Sequence, residues 1–226
     1  MTTDKQNTIF VIDFDSTFVT IETLEKLASY ALRNKSDTEK KLAEMKAITA
    51  AGMRGDIPFS ESLSRRLKLF KTNKTDIRLF AQELQKYITP SILKNKQFIT
   101  EHKDSIYIIS GGFHDYMTPV TEEFNLEQDH VIANHFVYDQ EGTVIDADQN
   151  IPLTKAGGKI QSIKNLGLQG KIYVVGDGYT DYEIKAAGLA TKFFAFCENV
   201  TRDTVTKHAD HIVNTFDEVL TLVNCN

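Results

Sequence analysis

Residues 8–13, Thr-Ile-Phe-Val-Ile-Asp, form a short apolar run that ends in a carboxylate. A run of this length without polar alternation is typical of a strand buried on both faces, as in a parallel sheet. Similar runs lie at Ser105–Ser110, Lys171–Gly176 and Thr191–Phe196, with a weaker one at His211–Val213. Helical patterns separate most of these runs. Because parallel strands are joined through crossover helices, the sequence predicts an α/β fold.

The chain between the first two predicted strands has a different pattern, in which apolar residues recur at helical spacing. The predicted helical stretches are Leu24–Leu32, Thr38–Ala51, Phe59–Phe70 and Ile77–Ile88. We therefore expect a doubly wound, mostly parallel, Rossmann-like sheet as a core of residues 1–17 and 87–226, with a small helical-bundle cap inserted at 18–86. Farther along, Ala133–Asp139 and Thr143–Ile145 flank a glycine turn and predict a hairpin.

Composition restricts the possible partners. The chain has 226 residues, of which 41% are apolar and 25% charged, and its net charge is −5. Mild acidity argues against nucleic acid, and no apolar run approaches the ~20 residues of a membrane span. The first residues lack the apolar stretch of a signal peptide. We expect a cytoplasmic monomer or homodimer that acts on a small molecule, without nucleic-acid or membrane partners.

Polar residues stand where three of the predicted strands end. Asp13 ends the first, Ser110 the second, and Asp177 follows the third. The carboxyl ends of parallel strands meet at one edge of a sheet, so these residues are expected to lie close together. Asp13 and Asp15 are two residues apart and would repel each other unless a cation or a shared proton relieved them, and magnesium suits such oxygen ligands. Alternatively, both are turn-forming aspartates.

Two glycine-containing loops add to this edge. Gly176–Asp181 carries a second pair of carboxylates into a predicted helix, where Asp181 could serve only as a helix cap. Its spacing does not match a dinucleotide fingerprint. Ser110–Phe113 offers backbone N–H groups that could cradle an anion, or it is simply a tight turn. Lys159, in the next predicted helix, could supply a cation, or it is solvated.

Together these residues specify one chemistry. A carboxylate such as Asp13 can accept a phosphoryl group and form an aspartyl-phosphate. A neighbouring carboxyl with a raised pKa, such as Asp15, could protonate the leaving alkoxide and then activate water. The sequence therefore predicts phosphate-ester chemistry supported by Mg²⁺.

The motifs resemble those of a known superfamily. The stretches Asp13–Thr17, Ser110–Phe113, Lys159 and Gly176–Asp181 resemble the four motifs of the haloacid dehalogenase superfamily of phosphatases. From about Ile9 to Leu220 the chain is similar to the phosphoserine phosphatase family within it, which has a Glu nine residues after the first Asp. The matching cap residues here are Glu22, Met53, Gly55, Phe59, Ser62, Leu63 and Arg66.

The resemblance implies roles for the core residues. Asp13 would be the nucleophile and Asp15 the acid/base. Mg²⁺ would be held by the Asp13 side chain, the Asp15 backbone carbonyl and Asp177. Asp181 would contact these ligands rather than the ion. The phosphoryl group would be bound by Ser110, Gly111, Gly112 and Lys159, with Thr180 nearby. The implied reaction is hydrolysis of O-phospho-L-serine to L-serine and phosphate through an aspartyl-phosphate, a step of L-serine biosynthesis.

The resemblance also implies that the cap recognises the substrate. Glu22 would meet its ammonium and Arg66 its carboxylate, while Met53 and Phe59 would shape the pocket. The helical spacing independently places Arg66 on the same face as Phe59, where a charge is costly unless it is paired or lies at a cavity. The alternative is an Arg that extends to solvent at the helix edge.

Two other functions stay open at this point. A related phosphatase or phosphotransferase of the same superfamily could act on another small phosphate ester, because a fold hosts many substrates. A receiver domain could store phosphate on an Asp without turnover, although such domains are about half this length and have no inserted helical domain.

Overall fold

The computed structural model describes residues 8–33 and 35–224 and contains eight strands within them. They are β1 (Thr8–Ile12), β2 (Ile106–Phe113), β3 (Val131–Asn134), β4 (Phe136–Tyr138), β5 (Val144–Ala147), β6 (Lys171–Gly176), β7 (Lys192–Phe196) and β8 (His211–Val213). Six of them form a parallel sheet in the order β3-β2-β1-β6-β7-β8. The predicted α/β fold with a parallel sheet is confirmed.

Both faces of the sheet are buried, which explains the continuous apolar runs. On one face Ile9 and Val11 of β1 belong to a cluster that includes Ile163 and Ile184. On the other face Phe10 and Ile12 belong to a larger cluster. Alternate residues of a strand point to opposite faces, so each must be apolar when helices cover both.

The described ranges contain eleven α-helices. They are α1 (Thr23–Leu32), α2 (Thr38–Arg54), α3 (Phe59–Leu67), α4 (Lys74–Leu84), α5 (Pro90–Lys94), α6 (Lys96–Glu101), α7 (His114–Glu122), α8 (Gly158–Leu166), α9 (Tyr179–Ala186), α10 (Asp203–Thr206) and α11 (Phe216–Asn224). The first six lie between β1 and β2, and the first four of these correspond to the helices predicted there. In the part of the chain covered here, none of the helices has the length and apolar character needed to cross a bilayer.

Helix α1 ends at Leu32, as predicted, whereas the ends of α2 and α3 differ from the sequence expectation. Helix α2 continues past its expected end at Ala51 and stops at Gly55, which adopts φ 80° in the left-handed region. It passes through Gly52, where a Cβ would lie 2.8 Å from the Ser62 hydroxyl of α3. The close approach of the two helices therefore requires a glycine inside α2. Helix α3 ends at Leu67, before the expected Phe70.

The predicted hairpin is only partly correct. The predicted first arm of the hairpin begins at Ala133. In the structure, Ala133 and Asn134 instead belong to β3, which pairs in parallel with β2 at the edge of the main sheet. The hairpin consists of β4 and β5, which pair antiparallel. The chain before α4 joins this ribbon, since Lys74 N–H donates to Gly142 O (3.0 Å) and Val144 N–H donates to Thr72 O (2.9 Å). The ribbon thus links the helical insertion to the sheet region.

Candidate active site

The carboxyl edge of the sheet brings the three strand-end residues together. Asp13 follows β1, Ser110 lies near the end of β2, and Asp177 follows β6. These residues are buried, with 6%, 1% and 3% of their surface exposed, respectively. The Asp13 N–H donates to Val175 O of β6 (2.9 Å), and the Thr17 hydroxyl donates to Asp177 Oδ1 (3.1 Å). The strand ends therefore form one buried polar cluster.

Lys159, near the start of α8, connects two carboxylates of this cluster. Its Nζ lies 2.7 Å from Asp13 Oδ1 and 2.7 Å from Asp181 Oδ1. Burial alone disfavours the ammonium, but the charges of Asp13 and Asp181 outweigh burial and raise the pKa of Lys159. The lysine is therefore a permanent cation beside Asp13, and a solvated lysine is excluded.

Three carboxylates of the cluster could hold a cation. Oxygen atoms of Asp13, Asp177 and Asp181 all lie within 4.8 Å of one another, and all three residues are buried. Buried carboxylates at this spacing repel each other unless positive charge lies between them. Hard oxygen donors of this kind fit Mg²⁺. The Asp15 side chain is not part of this group.

Asp15 points elsewhere, because the loop after β1 is a wide turn over Phe14–Phe18 in which Ser16 adopts φ 54°. Its Oδ1 accepts a hydrogen bond from the Thr23 hydroxyl (2.7 Å). Burial, followed by the nearby charge of Glu22, raises the pKa of Asp15 well above its usual range. A carboxyl with a raised pKa in this place is suited to donate a proton.

Hydrogen bonds from Asn199 and Thr89 hold the backbone of the turn that carries Asp15. The Asn199 amide donates to Ser16 O (3.1 Å) and to the Thr89 hydroxyl (2.8 Å). The Thr89 hydroxyl in turn donates to Thr17 O (2.7 Å). These bonds fix a backbone whose left-handed Ser16 is unfavourable in isolation.

A cavity opens between the sheet edge and helices α1 to α3. Besides Leu24, its lining consists of ten residues predicted from the sequence: Asp13, Asp15, Met53, Phe59, Arg66, Ser110, Gly111, Gly112, Lys159 and Thr180. Gly111 is required here, because a Cβ would lie 2.4 Å from the Phe59 ring. Three predicted residues, Glu22, Asp177 and Asp181, are not in the lining.

Arg66 of α3 lines this cavity and forms no ion pair with the described residues. Its side chain is 4% exposed, and its Nε donates to Ser62 O (3.3 Å) while the guanidinium lies 5.9 Å from the Phe59 ring centre. Among the described residues, no carboxylate lies within ion-pair distance of Arg66. Burial lowers the pKa of Arg66, opposed by Glu22 and Asp15. The guanidinium is therefore available to an anion in the cavity.

Glu22 is held outside the cavity lining. Its Oε1 accepts from the Ser16 hydroxyl (2.8 Å) and pairs with Arg202 Nη2 (3.1 Å), and Arg202 also pairs with Asp177. Glu22 Oε2 is buried and has no hydrogen-bond partner among the residues described. One carboxylate oxygen of Glu22 is thus used by the protein and the other is unpaired.

Sequence reasoning missed several residues of the site, namely Thr23, Leu24, Tyr116, Asn199 and Arg202. None lies in a motif stretch used for the prediction. Thr23 and Tyr116 lie in helices whose apolar spacing gave no sign of a polar contact with Asp15. Arg202 is 180 positions from Glu22 in the chain. Only the three-dimensional arrangement identifies them.

Comparison with known proteins agrees with this geometry. Residues 10–184 match the family model for haloacid dehalogenase-like hydrolases. The chain is 30% identical over 211 residues to the human phosphoserine phosphatase, covering 92% of this chain and 89% of that protein. It is 27% identical over 212 residues to the chloroplastic phosphoserine phosphatase of Arabidopsis thaliana, covering 92% of this chain and 69% of that protein.

A solved structure shows the same fold. The crystal structure of a phosphoserine phosphohydrolase-like protein from Francisella tularensis superimposes with a TM-score of 0.86 at 28% identity, covering 96% of this chain and 99% of that one. The resemblance predicted from the motifs is confirmed, and a receiver domain is excluded. The chain is an enzyme that belongs to the haloacid dehalogenase-like hydrolase family.

Proposed function

We propose that the enzyme hydrolyses O-phospho-L-serine to L-serine and phosphate in a magnesium-dependent reaction. The observation that carries this proposal is Arg66, a buried guanidinium that has no carboxylate partner among residues 8–33 and 35–224, in the same cavity as Asp13 and Lys159. A substrate with a phosphate at one end and a carboxylate at the other would satisfy both regions. Relatives named phosphoserine phosphatase support the same substrate class.

The phosphoryl group would pass through Asp13. A carboxylate oxygen of Asp13 attacks phosphorus, the bond to the ester oxygen breaks, and Asp15 gives its proton to the leaving serine oxygen. Asp15 then takes a proton from water as the water oxygen attacks phosphorus, and the Asp13–phosphorus bond breaks. Lys159, 2.7 Å from Asp13, would stabilise the negative charge that develops on the phosphoryl oxygens.

A Mg²⁺ ion would be held by the Asp13 side chain, the Asp15 backbone carbonyl and Asp177, with Asp181 behind them. The fit rests on the three buried carboxylates whose oxygens lie within 4.8 Å. When bound, the ion supplies Lewis-acid stabilisation of the phosphoryl oxygens. Ser110 and the backbone of Gly111 and Gly112 would bind the same oxygens.

The serine part of the substrate would lie toward the helical insertion. Arg66 can grip a carboxylate with two parallel hydrogen bonds. The unpaired Oε2 of Glu22 suits an ammonium group. Because Arg202 holds Glu22 Oε1 outside the cavity lining, Glu22 would reach the ammonium once the insertion closes over the core. Met53 and Phe59 would close the apolar side, and Thr180 would lie beside the phosphate.

The test is phosphate release from a panel of small esters with magnesium: phosphoserine, phosphothreonine, phosphotyrosine, phosphoethanolamine and glycerol phosphate. Phosphoserine should have the highest kcat/KM, and a chelator should abolish release. A higher kcat/KM for another ester would instead support a related phosphatase with a different substrate. Beryllium fluoride should be trapped on Asp13, and its attachment to Asp177 or Asp181 would contradict the assigned roles.

Three further predictions accompany this proposal. The division into a core of residues 1–17 and 87–226 and a cap of 18–86 predicts that the cap moves as a unit. Sedimentation should find a monomer or a homodimer. The reaction would be a step of L-serine biosynthesis. The enzyme would be cytoplasmic, which cell fractionation would check.

A further inference from the structure

A buried chain of hydrogen bonds connects helix α7 to Asp15. The Thr23 hydroxyl lies 2.7 Å from Asp15 Oδ1 and 2.7 Å from the Tyr116 hydroxyl. The N–H of Phe113, at the end of β2, donates to the same Tyr116 oxygen (3.0 Å). Thr23 and Tyr116 are fully buried. The bonds therefore form in the absence of competing solvent.

Counting protons fixes the direction of this chain. The backbone N–H of Phe113 can only donate, so the Tyr116 oxygen accepts from it. Thr23 is then the one acceptor within hydrogen-bond reach of the Tyr116 proton among the described residues. The Thr23 proton must in turn go to Asp15 Oδ1. The opposite direction would leave the Tyr116 O–H buried without an acceptor, which is costly.

The chain is also held rigidly. The Tyr116 ring contacts Phe80 edge-on, with centroids 5.4 Å apart, and lies in contact with Phe113 and Phe136. Thr23 opens α1, whereas Tyr116 lies in α7, so the two ends are fixed by different elements. The Tyr116 hydroxyl therefore cannot rotate away from Thr23 without disturbing the packed aromatic residues.

We propose that Tyr116 and Thr23 are positioning residues that hold Asp15 by Oδ1 and so select Oδ2 as the oxygen that exchanges protons. The proposal rests on the phosphatase chemistry proposed above. Oδ1 accepts the hydrogen bond of the Thr23 hydroxyl, and the Asp15 side chain lines the cavity, so Oδ2 is the oxygen left to meet the substrate. Oδ2 gives its proton to the ester oxygen as the P–O bond breaks. It later takes one from the attacking water.

This role makes a prediction that depends on the leaving group. Serine leaves as a strongly basic alkoxide and needs the Asp15 proton, whereas p-nitrophenolate is stable enough to leave without one. The value of kcat/KM reports steps up to the first irreversible one, which here includes departure of the leaving group. Loss of positioning should therefore lower kcat/KM for phosphoserine more than for p-nitrophenyl phosphate.

The variants are Thr23→Val and Tyr116→Phe, which remove one hydroxyl each with little change of shape. Thr23→Val should lower kcat/KM for phosphoserine by roughly 10- to 100-fold, the scale of a misplaced catalytic group. Tyr116→Phe should have a smaller effect in the same direction, because Thr23 can still donate. Thr23→Ser keeps the hydroxyl donor and should restore the ratio of kcat/KM for phosphoserine to kcat/KM for p-nitrophenyl phosphate.

Matched controls separate positioning from stability. Thr121→Val removes a buried hydroxyl bonded to backbone carbonyls of α7, and Tyr173→Phe removes the hydroxyl of another buried tyrosine, in β6. Both should leave the substrate ratio unchanged. Hydrolysis of both esters by the unmodified protein tests the proposed function by itself. If Thr23→Val then lowers both activities equally, or neither, the positioning role is wrong while the proposed function stands.

Discussion

The two sides of the cavity differ in whether their buried cation has a carboxylate partner. On the sheet side, Lys159 bridges Asp13 and Asp181 at 2.7 Å each, so the protein itself compensates the charges. On the side of the helical insertion, Arg66 is as deeply buried but has no carboxylate partner among the described residues. A buried charge without a partner is costly. The comparison indicates that the sheet side is assembled in advance, whereas the insertion side keeps an interaction for the ligand.

The largest expected effect concerns the sheet side. Asp13→Asn keeps the shape of the side chain but removes the proposed nucleophile, so kcat should fall by at least about 10³-fold. The thermal midpoint should stay close to that of the unmodified protein, because Lys159 keeps Asp181 as a partner. Phosphate release and thermal unfolding measure the two effects. The exposed Asp104→Asn is the control, and an active Asp13→Asn variant would contradict the assignment.

Replacing each buried cation by Met tests the comparison directly. Lys159→Met leaves Asp13 and Asp181 without their partner and should lower the free energy of unfolding by about 3–5 kcal/mol. Arg66→Met removes a charge that forms no ion pair within the described part of the chain, so the free energy of unfolding should be unchanged or higher. Urea denaturation without metal measures both. Equal destabilisation by the two substitutions would show that the two sides do not differ.

The Lys159→Met effect should depend on pH in a defined direction. Burial and the charge of Asp13 hold the pKa of Asp181 above its usual range even with Lys159 present. An acid whose pKa is higher in the folded state than in the unfolded state loses stability as pH rises. The destabilisation should therefore grow with pH and shrink in acid, and a constant difference would contradict this explanation.

Magnesium should stabilise the sheet side of the cavity. At 100 times its dissociation constant, a ligand specific to the folded state contributes about 2.7 kcal/mol. For a chain of this length, that corresponds to a rise of the thermal midpoint of roughly 5–10 °C. Asp177→Asn should abolish the rise. Calcium should also bind but inhibit phosphate release, because it accepts more ligands and can bind the nucleophile on both oxygens.

The smallest predicted effect lies where the two sides touch. A Cβ at position 111 would lie 2.4 Å from the Phe59 ring, so Gly111→Ala must displace that ring from the cavity wall. We expect a loss of about 1–2 kcal/mol in transition-state binding of phosphoserine. Adding Phe59→Leu removes the clashing ring atoms and should recover part of the loss. If the effects of Gly111→Ala and Phe59→Leu on kcat/KM simply add, the contact between position 111 and the Phe59 ring does not contribute to the loss.

The sheet side could be predicted from sequence because its geometry follows from the fold. Parallel strands deliver Asp13, Ser110 and Asp177 to one edge, so their positions after apolar runs were sufficient. Arg66 could be placed on an inward face from helical spacing alone. That Arg66 has no carboxylate partner among the described residues could not be predicted, because this depends on which side chains every other element places near it.

Other features depend on contacts between distant parts of the chain. Arg202 reaches Glu22 from 180 positions away, and Tyr116 reaches Thr23 from 93. Helical spacing describes which face is apolar but says nothing about a hydroxyl that bonds across elements. Similarly, α2 runs through Gly52 because α3 approaches there, and local propensity predicted an earlier end.

The most direct test compares phosphoserine with phosphoethanolamine, which keeps the phosphate and the ammonium but lacks the carboxylate. The unmodified enzyme should favour phosphoserine in kcat/KM by about 2–5 kcal/mol, the scale of a buried charge pair broken on one side. In Arg66→Ala the preference should disappear, while the adjacent, exposed Arg65→Ala should keep it. A preference that survives in Arg66→Ala would contradict the claim that Arg66 selects the substrate.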